Sequence, residues 1–364
     1  MNILFLTNHL NIGGITSYLD SLSRGLKARG HNIYIASSGG DKLQDFLDQG
    51  MDFIQVPLRT KAEFSPKVFF SFLKLLGYIK KNKIDIIHAN TRVTQVLGCL
   101  LERFTGRPMV STCHGFFKTR ISRRIMPCWG KRVIAISQQV KDHLKDDFKV
   151  RDEIIRLINN GIDLENFKDI KNFDRQLIKA EIGLGDGPVV GIVGRLSDVK
   201  GHIYLIEAIS IVSKEIPSVN LLIIGEGKML DELRALSKRL KLEDKVYFIN
   251  SVMDTRKVLS VMDIFAMPSL KEGLGLALME AMASGLAVVG SSVGGIKTLI
   301  ADGDNGLLVD PANSGGLAQA ITKLLKDEGI RKVLGENAKK FIGANFSSHK
   351  MVEETERLYQ ECLN

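Results

Sequence analysis

The chain has 364 residues, 45% hydrophobic and 25% charged, with 50 Lys+Arg against 41 Asp+Glu and a formal net charge of +9. This is the composition of an ordinary globular protein long enough to bury two hydrophobic cores, so two domains are expected. It excludes collagen-like and low-complexity chains, and no apolar run approaches the ~20 residues that span a bilayer.

Taken in chain order, the N-terminal Met1-Asn-Ile-Leu-Phe-Leu-Thr7 reads as a first strand and not as a signal peptide. A loop, Asn8-His-Leu-Asn-Ile-Gly-Gly14, follows it. Gly13 and Gly14 let the backbone come close to a ligand. Their spacing is not Gly-x-Gly-x-x-Gly, and no acid ends the next strand, 33–37, so a nicotinamide-type site is disfavoured here. Strands are predicted at 53–56, at 84–89 ending near His88, and at 109–113. His114-Gly115 then sits at a strand's carboxyl end, where ligands of doubly wound sheets bind. His88 reads as structural or as support for a neighbour.

Segment 103–141 holds nine basic residues and no acid, with Phe116, Phe117, Ile121, Ile125, Met126 and Trp129 among them. Residues 1–170 carry 26 Lys+Arg and 16 Asp+Glu, whereas 171–364 carry 24 and 25, so the whole basic excess lies in the first half. The segment suits either peripheral contact with an anionic membrane surface or a solvated basic surface over core hydrophobes. No nucleic-acid motif accompanies the charge, so a nucleic-acid partner is not expected. The four cysteines, Cys99, Cys113, Cys128 and Cys362, form no Cys-x-x-Cys pair. That fits reduced thiols, a cytoplasmic location and no structural zinc.

Further strands at 133–137 and 154–158 lead to a polar stretch, 159–170, read as the joint. The domains are thus placed at 1–170 and 171–346. In the second half, strands are predicted at 189–193, 220–224, 246–249, 264–268, 287–290 and 306–309. Strands that are almost continuously apolar, alternating with helical stretches, predict parallel sheets covered on both faces. The fold class is therefore α/β with two doubly wound, Rossmann-like domains whose ligand sites face a cleft.

Gly194-Arg195 follows strand 189–193 and is joined by Lys200 in the same loop. Two cations suit a diphosphate, arginine by a fork of donors and lysine as a point charge. Strand 264–268 leads into Glu272-Gly-Leu-Gly-Leu-Ala-Leu-Met-Glu280. Here a glycine turn opens an amphipathic helix whose first amides, at Leu276 and Ala277, would meet an anion. Glu272 and Glu280 can accept hydrogen bonds from hydroxyls, which points to a sugar beside a phosphate. Asp302-Gly-Asp304 precedes Asn305-Gly306 and reads as a turn, so no metal is assigned.

These elements together resemble the retaining glycosyltransferases of family 4, which have the GT-B fold. The resemblance runs from Gly13-Gly14 through His114-Gly115, Asn160-Gly-Ile-Asp163, Gly194-Arg-Leu196, Lys200-Gly201 and Gly225-Glu-Gly227 to Glu272…Gly285 and Gly294-Gly295. It implies an acceptor domain followed by a nucleotide-sugar donor domain, with the last segment, 347–364, packing back on the first. By that resemblance Glu272 binds donor-sugar hydroxyls, helped by amides at Gly273, Leu274 and Gly275. Arg195 and Lys200 offset the departing diphosphate, Glu280 holds the ribose, and Asn250 and Val252 face the base. His114 contacts the transferred sugar, while Gly13, Gly14 and Gly194 border phosphate and acceptor. The implied reaction moves a hexose from a UDP-sugar or GDP-sugar, UDP by preference, to a hydroxyl of an envelope glycan such as a lipopolysaccharide or capsule precursor, with no cofactor required. Alternatives on the same architecture are a nucleotide-sugar epimerase, a phosphorylase and a non-catalytic binding protein. One departure is that Ile296-Lys297-Thr298 follow Gly294-Gly295 where the family often has Pro-Glu.

Overall fold

A computed structural model describes residues 1–364 apart from 61, 118, 120–122, 124, 125 and 253, with only the main chain at 171. Lys118, Arg120, Ile121, Arg124 and Ile125 of the basic segment therefore lie outside the described residues. The chain divides into two compact units, Met1–Gly161 with Ser348–Asn364, and Ile162–Ser347. This division precedes residue 170. The polar stretch is not a free joint, because the amide of Ile162 donates to Phe346 O at 2.8 Å and Asp163 caps the short turn Leu164–Phe167.

In the first unit the strands are β1 (Asn2–Leu6), β2 (Asn32–Ser37), β3 (Asp52–Gln55), β4 (Ile86–Ala89), β5 (Met109–Cys113), β6 (Arg132–Ala135) and β7 (Ile155–Leu157). They form one parallel sheet in the order β3-β2-β1-β4-β5-β6-β7. The second unit holds β8 (Val189–Val193), β9 (Asn220–Ile224), β10 (Val246–Ile249), β11 (Ile264–Met267), β12 (Ala287–Ser291) and β13 (Leu307–Val309), in the order β10-β9-β8-β11-β12-β13. All are parallel. Each sheet reverses its winding once, between β1 and β4 and between β8 and β11. Those are the points at which loops diverge and leave room for a ligand.

The sheets are apolar on both faces because helices cover both. In the second unit Val190, Ile192, Leu221, Ile223, Ile264 and Val289 pack under helices His202–Glu215 and Ser314–Lys326. In the first, the helix Ser348–Leu363 supplies Met351, Val352, Leu358, Tyr359 and Cys362 to the core that also contains Leu19, Leu22 and Leu26. Gly25 permits this approach, since a Cβ there would lie 2.3 Å from Val352 Cγ2. Polar contacts fix its register: Glu356 binds Arg29 Nε at 2.6 Å and His31 Nε2 at 2.7 Å, and Tyr359 Oη bonds His88 Nδ1. His88 is fully buried and also bonds Thr112 Oγ1 at 2.7 Å, which assigns it to structure.

Within segment 103–141 the aromatic residues differ in their burial. Trp129 is only 6% exposed and packs edge-on against Phe148, while Phe116 stacks on His143 and Phe117 lies under the Arg123 guanidinium. Among the described residues Trp129 is thus committed to the interior, Phe116, Phe117 and Met126 are half-buried, and Phe104 is exposed. No helix among the described residues is long and apolar enough to cross a membrane.

Candidate active site

The second unit's site grows from neighbouring strands β8 and β11, paired in parallel through Val190–Ile264 and Gly191–Phe265. After β8 the chain passes Gly194 and Arg195 into a short 3-10 turn, Asp198–Lys200, before Gly201 starts the helix His202–Glu215. Gly201 has φ +71°, and a Cβ there would stand 1.9 Å from Pro268 O, so only glycine lets the two loops touch. Leu270 N donates to Val199 O at 2.8 Å and stitches them together. As a result Lys200 Nζ meets Glu272 Oε2 in an ion pair, with the side chains 24% and 13% exposed. Sequence patterns had given these residues separate tasks; the fold makes them partners.

Glu272 is held on its main chain as well. Gly295 N donates to Glu272 O at 3.0 Å, and Glu272 Oε1 accepts from Gly273 N at 3.2 Å. Next comes Gly275 with φ +94°, which caps the helix Leu276–Ala283 without any side-chain cap. The first bond into that helix is Met279 N to Gly275 O at 3.0 Å, so the amides of Leu276 and Ala277 have no partner within it. They carry the positive end of the helix dipole toward the Lys200–Glu272 pair's loop. The helix differs from the expected amphipathic one. Leu278, Met279, Ala281, Met282 and Ala283 are all buried, so it is an interior helix with an open N-terminus.

Glu280 lies on this helix and accepts a hydrogen bond from Thr255 Oγ1 at 2.9 Å. The residue is half-buried, and burial of its carboxyl lifts the pKa from 4.5 to about 7, against the opposing Thr255 bond. The sign follows directly. Between pH 4.5 and 7 the folded chain binds this proton and the unfolded chain does not, so Glu280 costs stability as pH rises through that interval. If its carboxylate receives ligand hydroxyls, nucleotide affinity should instead rise through pH 7 and level off above it. Titrating UDP against pH should show this rise in the wild type and a flat profile in Glu280→Gln; parallel profiles would remove Glu280 from the ribose role.

Thr255 was not legible as a site residue. It opens the helix Thr255–Leu259, capped by Asp254, directly after the loop that carries Asn250 and Val252. Asn250 is exposed and Val252 half-buried. Gly194 N bonds Ile224 O at 2.9 Å, and a Cβ at Gly194 would meet open space. Arg195 is exposed, with no hydrogen bond or ion pair to the other site residues among the described ones. His202 is buried beside Lys200 with neither ring nitrogen bonded, and burial followed by the Lys200 charge brings its pKa down to about 4. Asp302-Gly303-Asp304 is a turn: Gly303 has φ +77°, and Asp302 Oδ1 accepts from Leu308 N at 2.8 Å.

In the first unit, Gly13 caps the helix Gly14–Ala28 with φ +157° and open space beside it. His114, just past β5, is half-buried. Its Nε2 lies 3.2 Å from Asn90 Oδ1, and its ring meets Tyr18 edge-on at 4.7 Å. Burial holds its pKa down to about 3, so the ring is neutral. With Nε2–H donated to Asn90, Nδ1 is left as an acceptor. Asn90 and Tyr18 thus hold the His114 ring, and the motif pattern did not mark either.

A family profile described as Glycosyl transferases group 1 matches residues 174–341, and one described as Glycosyltransferase Family 4 matches residues 12–166. The chain belongs to the family 4, group 1 glycosyltransferases. Among the relatives of this glycosyltransferase, an uncharacterised glycosyltransferase of Methanocaldococcus jannaschii is 28% identical, covering 97% of this chain and 95% of that protein. An Escherichia coli UDP-Gal:α-D-GlcNAc-diphosphoundecaprenol α-1,3-galactosyltransferase is 27% identical over 91% of this chain and 89% of its own length. The solved structure of Anabaena HepE in complex with UDP-glucose, 24% identical, superposes with a TM-score of 0.87, covering 99% of this chain and 100% of that one. The glycosyltransferase has the GT-B fold of two Rossmann-like halves.

Proposed function

We propose that this glycosyltransferase moves a hexose from a nucleoside diphosphate sugar, UDP by preference, to a hydroxyl of a lipid-linked envelope glycan, with retention at the anomeric carbon. The Lys200–Glu272 ion pair beside the open amides of Leu276 and Ala277 is the observation that carries this reading. On entry of a donor, Lys200 exchanges Glu272 for the diphosphate, and Glu272 is released to accept sugar hydroxyls. Arg195, unengaged and exposed, adds the second cation. Glu280 takes the ribose and the loop with Asn250 and Val252 faces the base. His114 offers its Nδ1 lone pair to a hydroxyl of the transferred sugar.

In the reaction, the bond from the anomeric carbon to the phosphate oxygen breaks and one to the acceptor oxygen forms on the same face. The acceptor's proton passes to the departing phosphate oxygen. No separate strong base is needed, which agrees with a neutral His114. Charge grows on the leaving diphosphate, where preorganised cations and amides contribute most.

Thermal unfolding with UDP-glucose, UDP-galactose, UDP-N-acetylglucosamine and GDP-mannose tests the donor assignment. A donor at 100 times its Kd should stabilise the protein by about 2.7 kcal/mol. UDP release that requires a pooled lipid-linked acceptor identifies transfer. Conversion of the donor with no acceptor would favour an epimerase, a requirement for orthophosphate a phosphorylase, and stabilisation without turnover a binding protein.

A further inference from the structure

Residues 64–84 contain no acid but include Lys67, Lys74, Lys80, Lys81 and Lys83. Most of this stretch is the helix Pro66–Lys81, begun by Ser65 as N-cap with proline at the first position. Val68, Phe72, Leu75 and Ile79 recur at helical spacing and face the core, which satisfies the demand for a buried stripe. The helix is nevertheless apolar on its outer side. Phe64, Phe69, Phe70 and Phe104 are between 58% and 69% exposed, and they are the exposed phenylalanines among the described residues. Leu73, half exposed, lies one turn after Phe69.

Phe69, Phe70 and Leu73 lie on the outer side of one helix. Phe69 and Phe70 are 6.3 Å apart by ring centroid, and Phe104, on the neighbouring helix Arg92–Thr105, packs on Phe72 at 5.2 Å. Scattered exposed apolar residues need no explanation, but Phe69, Phe70 and Leu73 on one helix, with Phe104 on the helix beside it, do. The rim has one sign. Lys67, Lys80 and Lys81 flank the patch from its own helix, and Arg103 and Arg107 flank it from beside Phe104. The neighbouring acids are occupied inward: Glu63 pairs with Arg92 at 2.9 Å, and Glu102 accepts from Met109 N at 2.8 Å.

We infer that this face docks on an anionic lipid bilayer, with the phenylalanines entering the headgroup boundary and the lysines and arginines meeting lipid phosphates. Charge complementarity selects this occupant, since a rim of Lys67, Lys80, Lys81, Arg103 and Arg107 opposes self-association and suits an anionic surface. Membrane contact is thus placed on the helix Pro66–Lys81 and on its neighbour Phe104. The inference rests on the proposed lipid-linked acceptor for its purpose. The two fail separately, because vesicle binding is read without donor and donor binding without vesicles.

Sedimentation of the full chain with phosphatidylglycerol vesicles and with phosphatidylcholine vesicles is the test. Binding should be confined to the anionic vesicles and weaken with salt. The pair Phe69→Ala, Phe70→Ala should lower it tenfold or more, and Lys80→Ala or Lys81→Ala about fivefold each. Stabilisation by UDP-glucose should be unchanged in every variant. Equal binding to neutral vesicles, or wild-type binding by the double phenylalanine variant, would overturn the inference. So would a dimer in size-exclusion chromatography that the same variant dissolves, which would assign the patch to a second copy of the chain.

Discussion

Lys200→Ala is expected to lower kcat for sugar transfer by roughly 10²–10³-fold while the protein stays folded. Two effects act together. The cation that offsets the leaving diphosphate is lost, and the Glu272 carboxylate, only 13% exposed, loses its partner and repels the donor's phosphates. Lys200→Arg should recover only part of the rate, because a broad planar fork does not replace a compact charge in this turn. Glu272→Ala should reduce transfer to a similar degree, for want of sugar contacts. The double variant should lose little more than either single one, since residues acting as a unit are not additive. Steady-state UDP release, with unfolding curves as control, measures this. Near-wild-type rates in either single variant, or strictly additive losses, would contradict the assignment.

Gly295→Ala is expected to reduce turnover by about 10²-fold without touching a reacting group, since a misplacement near 1 Å can cost that much. Gly295 lies in ordinary helical backbone, so alanine carries no conformational penalty there. The penalty is steric. A Cβ would fall 2.3 Å from Gly273 O and 2.4 Å from Leu274 Cα, pushing on the loop that presents Glu272 and the amides that follow. The Gly295 N bond to Glu272 O would be strained at the same time. Gly303→Ala is the comparison: it also strains a glycine, but with open space around it and in a turn away from this loop, so it should spare kcat. A Gly295→Ala enzyme with an unaltered KM and kcat would show that the loop tolerates displacement.

If this loop binds the donor as proposed, the same contact predicts that the departure after Gly294-Gly295 matters little to it. The second glycine acts through its missing side chain and its amide, which Ile296-Lys297-Thr298 leave in place. Glycines, strand-end positions and the two acids of 272–280 were legible in sequence because each is a local requirement of chain geometry or of ligand chemistry. The alternation of apolar runs revealed all of β1–β13, since buried parallel strands need continuous hydrophobicity. Pairings between distant segments were not legible. Thr255 on Glu280, Asn90 on His114 and Lys200 on Glu272 are made by the winding of the sheets, and no spacing announces them. The burial of Trp129 within 103–141 was not legible for the same reason, as composition does not say which side of a strand or loop a residue will face. Residue 170 looked like a boundary because its neighbours are polar, yet polar side chains there cap turns of the second unit.

The central claim is that a nucleoside diphosphate lodges on the second unit at the amides of Leu276 and Ala277, with Lys200 drawn off Glu272 to meet it. A crystal structure of the protein with UDP-glucose tests this most directly. The account predicts the diphosphate within hydrogen-bond distance of those two amides and of Lys200 Nζ, the Lys200–Glu272 pair opened, and a sugar hydroxyl on Glu272. A nucleotide bound at another place, or one bound there with that ion pair intact, would contradict it.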